Sequence, residues 1–242
     1  MVGLLEDGAR QTVKRSIGRT ARALLRAGDV DGLHRIPLGP AAGLRLDLRL
    51  PDVPVDMYLG LFEWEVWRHM RTMLRPGMTS VDVGGHLGWY SLIFARHTQA
   101  HVWSFEPDPD AAAVLRRNCE QNPECGRHVT VLGGKCSAAG DDPEHEIALD
   151  SFASASSAAG LIKVDVDGPE AKVLAGGERT LREVHPHVVV ETHSRDLERE
   201  CAELLVSCNY RPLVVTTRQL WHLQQNRPGD HNRWLVAYGR PG

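Results

Sequence analysis

Hydrophobic and polar positions alternate along the chain in two distinct periods. Leu44, Leu46, Leu48 and Leu50 are separated by Arg45, Asp47 and Arg49, a period of two that predicts a half-buried strand, closed by Pro51 and Pro54. Trp64, Trp67, Met70, Met73 and Leu74 recur at helical spacing and predict a helix over 63–74 whose aromatic stripe belongs to the core. Short apolar runs then follow one another at 79–83, 100–105, 128–132, 160–166 and 187–192. Helical patterns stand between them from Trp89 onward and at 110–122, 169–182 and 195–208, the third opened by Pro169 at a favourable first-turn position. The stretch 133–148 is rich in glycine and acids and reads as irregular. The last runs, 212–216 and 233–238, are joined by a polar loop and predict a terminal antiparallel pair. Such alternation predicts an α/β fold, a doubly wound and mainly parallel sheet. Ahead of it, 9–27 reads as a basic amphipathic helix ended by Gly28, and 36–42 as a Pro/Gly/Ala connector. The expected division is an N-terminal extension, 1–55, serving as a lid or acceptor segment, and a main domain, 56–242.

The apolar run 79–83 ends directly in Gly84, Gly85 and Gly88, with the helix starting at Trp89. A strand, a glycine turn and a helix form the mouth of a doubly wound sheet, where ligands bind outside the carboxyl ends of the strands. Glycine serves there because the chain turns sharply and a ligand approaches bare backbone. The spacing departs from the dinucleotide fingerprint G-x-G-x-x-G, and Asp82 precedes the first glycine by two residues. A carboxylate there suits a cationic ligand better than a pyrophosphate. Glu106 closes the next run 22 residues after Gly84, near the separation expected of a carboxylate that binds ribose hydroxyls. Two carboxylates and a glycine turn suit S-adenosylmethionine, which carries a ribose, an ammonium and a sulfonium but no phosphate.

A second constellation follows. The run ending in Lys163-Val164-Asp165-Val166-Asp167-Gly168 and the run ending in Glu191-Thr192-His193 both stop in ionisable groups. In a doubly wound sheet both ends share an edge with Gly84, so Lys163, Asp165, Asp167, Glu191 and His193 are expected to converge. His193 has the ordinary pKa for a general base at neutral pH, with Asp165 or Glu191 orienting its ring. The bland alternatives are that Asp167 caps the next helix and that Asp165 pairs with Lys163. Asp165, Glu191 and His193 would also accept a divalent metal, an option less favoured than the organic base because such ligands do not select a metal sharply.

Composition narrows the class. The 242 residues are 42% apolar and 24% charged, with a net charge of −3 and a pI of about 6.5. That balance lacks the basic stripe of a nucleic-acid surface. No run approaches the roughly 18 apolar residues of a membrane span. The five cysteines (Cys119, Cys125, Cys136, Cys201, Cys208) form no C-x-x-C pair and read as reduced thiols of a cytoplasmic protein.

Four motifs recur together in order and spacing: 81–91 around Gly84, Phe105-Glu106-Pro107, Leu149-Asp150-Ser151-Phe152 and 162–168. In these the chain resembles FkbM-type methyltransferases, a class I S-adenosylmethionine-dependent family, over roughly 56–215. The resemblance implies a Rossmann-like methyltransferase fold, seven-stranded, with the last strand inserted antiparallel. It implies that Asp82, Gly84, Gly85 and Gly88 frame the methionine end of the donor, that Glu106 holds its ribose, and that Gly134, Cys136 and Ser137 flank its adenine. It further implies O-methylation of a small-molecule hydroxyl on a natural product, sugar or glycolipid, with no nucleic-acid partner. A homodimer is among the assemblies the sequence allows. The chain departs from the family at Gly85-His86 (Ala-Asn in the family), at Asp167 (Glu) and at Ser151 (often an acid). Two other classes stay open on the same sheet: a nucleotide-dependent oxidoreductase, which would need a phosphate cradle, and a donor-binding module without turnover.

Overall fold

The computed structural model describes residues 29, 32–50, 53–137, 146–153, 159–217 and 233–240. The helix expected over 9–27, its end at Gly28 and the polar loop before Arg233 lie outside the described residues. The chain forms two compact units, the first running to Trp64 and the second from Glu65.

In the first unit, β1 (His34–Arg35) and β2 (Arg45–Leu46) pair antiparallel. The 36–42 connector is the loop of this hairpin, closed by Gly43 N–H on the Ile36 carbonyl at 2.8 Å. Leu44, Leu46 and Leu48 are buried and Arg45 and Arg49 exposed, as the alternation predicts. Asp47 departs from the pattern: it is buried and holds the Arg49 guanidinium through bonds of 2.8 and 2.6 Å. In the same unit α1 (Val55–Leu59) packs with the hairpin. Tyr58 Oη donates to the Leu48 carbonyl at 2.7 Å, and its own carbonyl meets His34 Nε2 at 2.9 Å.

The second unit is entered through α2 (Trp64–Met73). Trp67, Met70 and Met73 are buried as expected, but Trp64 is exposed. The body contains β3 (Thr79–Val83), α3 (Trp89–Thr98), β4 (Val102–Phe105), α4 (Pro109–Gln121), α5 (Pro123–Gly126) and β5 (Val129–Leu132). There follow β6 (Lys135–Ser137), β7 (Glu146–Ala148), α6 (Leu149–Ala153), β8 (Ala159–Val164), α7 (Glu170–Ala175), α8 (Glu178–Glu183), β9 (His187–Thr192), α9 (Arg195–Ser207), β10 (Leu213–Thr216) and β11 (Arg233–Ala237). Seven strands form one sheet in the order β10-β11-β9-β8-β3-β4-β5. β9, β8, β3, β4 and β5 are parallel, and β11 inserts antiparallel between β9 and β10. This is the Rossmann-like methyltransferase sheet the sequence predicts.

The central strands carry near-continuous valine and isoleucine because both faces are covered. Val81, Val83, Ile162, Val164, Val188 and Val190 are buried. Part of the 133–148 stretch is regular, since β6 and β7 pair parallel over three residues each. The helix expected over 169–182 is two helices, broken at Gly176-Gly177. All five cysteines are free and buried, Cys201 and Cys208 in the core under α9. Among the described residues no helix is long and apolar enough to cross a membrane.

Candidate active site

The turn after β3 is built by tight packing. Gly84 has φ +82° and its N–H, like that of Gly85, donates to the Phe105 carbonyl at 2.9 Å. A Cβ on Gly84 would overlap the Asp165 carbonyl oxygen, and one on Gly85 would overlap Ser104 Oγ. These glycines are therefore required by neighbouring chain, beyond any ligand that approaches them. Gly88 (φ +90°) caps α3, and its N–H is taken by the Gly85 carbonyl at 2.8 Å. His86 sits at φ +47°, a left-handed conformation in which Asn and His are the side chains most readily accommodated, so His in place of the family's Asn preserves the turn.

Glu106 is buried at the end of β4 and clamps this turn. Its Oε2 accepts the His86 N–H at 2.7 Å and its Oε1 accepts the Asp108 N–H at 2.8 Å. Each carboxylate oxygen has a second lone pair, so the group keeps acceptor capacity for a hydroxyl pair. The N–H groups of Gly84, Gly85, His86 and Gly88 are all bonded within the protein. They offer no cradle to a pyrophosphate, which disfavours the dinucleotide class.

Asp82 has internal polar partners. It is buried in mid-sheet, in register with Ser104 on β4 and Lys163 on β8. Its Oδ2 accepts Ser91 Oγ at 2.5 Å and its Oδ1 faces Lys163 Nζ at 3.1 Å. The cation that Asp82 meets is thus internal. Lys163, 1% exposed, also donates to the Gly84 carbonyl at 2.8 Å and stands 3.2 Å from Asp165 Oδ2. Ser91 on α3 and Ser104 on β4, bonded to each other at 2.8 Å, complete this polar group.

Beyond β5, Gly134 (φ +113°) turns the chain into β6. Cys136 is not poised to touch a ligand through its sulfur. It is packed in the core against the sheet, and burial pushes its thiol up to about 12. Ser137 ends β6 in register with Ala148.

The ends of β8 and β9 bring Asp165, Glu191 and His193 together, with one ligand-capable atom from each within 4.8 Å of the others. Asp167, fully exposed at its side chain, lies 3.5 Å from His193 Nε2, and Glu191 Oε2 lies 4.0 Å from the same nitrogen. Burial raises the Asp165 carboxyl, but the Lys163 charge, a hydrogen bond with Glu191 and the nearby His193 outweigh it and hold it below the usual range. The residue at hydrogen-bond distance from His193 Nδ1 is neither Asp165 nor Glu191 but one not singled out from the sequence. Glu170, on α7 and 0% exposed, places its Oε1 2.5 Å from His193 Nδ1. That hydrogen bond raises the imidazole above its ordinary value against partial burial, and Asp165, Glu170 and Asp167 add to it electrostatically. The available signal was helical phase: Glu170 falls on the same face as the buried Val173 and Leu174. The oxygen-and-imidazole set would also accept a divalent cation. Lys163 already supplies a positive charge to Asp165 within the cluster.

Residues 82–235 match the model of the methyltransferase FkbM domain. A curated relative, the hexuronic acid methyltransferase AglP of Haloferax volcanii, is 28% identical over 51% of this chain and 59% of its own. The structure of methyltransferase FkbM from Methylobacillus flagellatus KT superposes with a TM-score of 0.55 at 16% identity, covering 75% of this chain and 52% of that one. Precorrin-8w decarboxylase from Methanobacterium thermoautotrophicum gives a TM-score of 0.51 at 17% identity over 74% of this chain and 90% of that one, a likeness of fold alone. The chain spans little more than half the length of the curated relative and of the Methylobacillus protein. With the matched region covering well over half of its residues, the chain belongs to the methyltransferase FkbM-domain family.

Proposed function

We propose that the chain is an S-adenosylmethionine-dependent O-methyltransferase acting on a hydroxyl of a small molecule, a sugar or a sugar-bearing product. The observation that carries this reading is the pairing of two sites along one sheet edge. The clamped turn at Glu106 ends β3 and β4, and the imidazole-carboxylate cluster ends β8 and β9, with Lys163 bonded to both sides. The hexuronic acid relative favours a sugar as the acceptor.

The residues present fit the donor at its ribose, where Glu106 retains acceptor capacity, and fit it poorly at a diphosphate, since the turn's amides are already bonded. When bound, S-adenosylmethionine supplies an electrophilic methyl group on a sulfonium that leaves as a neutral thioether. The protein's task is to hold the acceptor oxygen in line with that methyl and to take one proton. His193 Nε2 faces Asp167 and Glu191 on the open side of the cluster, where an acceptor hydroxyl can reach it. As the oxygen–carbon bond forms, the hydroxyl proton passes to Nε2. The resulting imidazolium is stabilised by Asp165, Glu170 and Asp167.

The test is transfer of a labelled methyl group to a panel of neutral sugars, uronic acids and glycosides, with products read by mass spectrometry. O-methylated product is expected, and His193→Ala is expected to lose about 10²–10⁴ in rate with donor affinity unchanged. Full activity in His193→Ala would remove the base from the mechanism. Donor-dependent product on nitrogen or carbon would remove the O-methyl assignment.

A further inference from the structure

Glu170 is a wholly buried acid to which neither the fold nor the donor site gives an evident use. Its Oε1 lies 2.5 Å from His193 Nδ1 and also accepts the Gly168 N–H at 3.2 Å. A carboxylate oxygen accepts and has no hydrogen to donate, which assigns the hydrogen of that contact to Nδ1. Nε2, on the other side of the ring, faces Asp167 and Glu191 and the solvent-reachable side of the cluster, His193 being 27% exposed at its side chain. The other Glu170 oxygen, Oε2, is buried and has no hydrogen-bond partner among the described residues. An apolar residue or an amide of similar size would fill this place at lower cost to folding. The carboxylate is explained by what it does to the ring.

We propose that Glu170 is the positioning residue of the site, fixing His193 in its Nδ1–H tautomer so that the Nε2 lone pair is presented to the acceptor hydroxyl. The inference rests on the reading of this cluster as the acceptor side of a methyltransferase. As Nε2 takes the hydroxyl proton, the Nδ1–H···Glu170 contact becomes an ion pair, and the ring keeps its orientation. The proton later leaves from Nε2 to solvent. The charged groups that face the ring are Asp165 and Asp167 after β8, Glu170 on α7 and Glu191 on β9. Only Glu170 meets Nδ1 at hydrogen-bond distance among the described residues.

The experiment is long-range proton–nitrogen NMR of the His193 ring in the full chain, above its titration and without donor or acceptor. The wild type is expected to show the Nδ1–H tautomer, and Glu170→Ala to shift toward the Nε2–H tautomer that free histidine prefers. In turnover, Glu170→Ala should lower kcat by roughly 10- to 100-fold, less than loss of the base itself, with donor affinity unchanged. Glu170→Gln keeps an acceptor for Nδ1–H without the charge. It should retain the tautomer while its His193 titration midpoint moves down. An Nε2–H ring in the wild type, or a ring spectrum unchanged in Glu170→Ala, would overturn the proposal. Should Glu170→Ala not fold, an unmoved titration in Glu170→Gln would do the same. Because the ring is read without ligands, failure here leaves the donor assignment standing, and failure of donor binding leaves the tautomer result intact.

Discussion

The ammonium of Lys163 donates to the carbonyl of Gly84 at 2.8 Å, so a buried side chain from β8 holds the turn that ends β3. The same Nζ lies 3.1 Å from Asp82 and 3.2 Å from Asp165. One residue thus ties the glycine turn to the imidazole-carboxylate cluster. Lys163→Met should leave the buried Asp82 without its cation and cost about 3–5 kcal/mol, read as a fall in the urea midpoint. Adding Asp82→Asn should recover part of the loss. Additive losses in the double variant would show that the two groups are not coupled.

Gly84→Ala should act on folding first. The position has φ +82° and no room for a Cβ against the Asp165 carbonyl. Thermal unfolding should fall well below wild type, while Gly133→Ala, where a Cβ meets nothing, should change stability by no more than about 0.5 kcal/mol. Equal stability of the two variants would contradict the packing account.

The turn was legible in the sequence because glycine and position carried its signal. Thr79–Val83, Trp89–Thr98 and His187–Thr192 match the runs read from hydrophobic pattern. The break between α7 and α8 was not legible because its cause is tertiary. Asp150 N–H takes the Gly176 carbonyl at 2.9 Å, Asp150 Oδ1 takes the Thr180 N–H at 2.8 Å, and Leu149 fills the space a side chain at Gly177 would need. Asp47 defeated the alternation because its partner, Arg49, lies two residues on and neutralises it when buried. Asp165, Glu191 and His193 were found because strand ends share an edge. Glu170 was missed because its partner is 23 residues away on another element.

The pH dependence follows from His193. Its folded value is raised, first by the hydrogen bond to Glu170, so its contribution to stability is fully present below the unfolded value of about 6.5 and is lost as pH rises through the higher folded value. The stability gap between wild type and His193→Gln should therefore be larger on the acid side of neutrality than on the alkaline side. The base must be neutral to act, so kcat/KM should climb with pH to a midpoint above about 6.5. A gap that widens with increasing pH would contradict the assignment of the proton.

Chelator should leave turnover unchanged, since the proposed base is the His193 imidazole and Lys163 already supplies a cation to the cluster. Loss of activity in EDTA with recovery on adding Mg²⁺ or Mn²⁺ would replace the organic base with a metal that acidifies the hydroxyl.

The most direct measurement is calorimetry of donor binding at the Glu106 clamp. Wild type should bind S-adenosylmethionine and not NADH. Glu106→Ala should weaken that binding by about 1–3 kcal/mol, the value of hydrogen bonds to a charged group, with thermal unfolding measured alongside to confirm a folded variant. Equal affinity in wild type and a folded Glu106→Ala, or binding of NADH in preference to S-adenosylmethionine, would contradict the account.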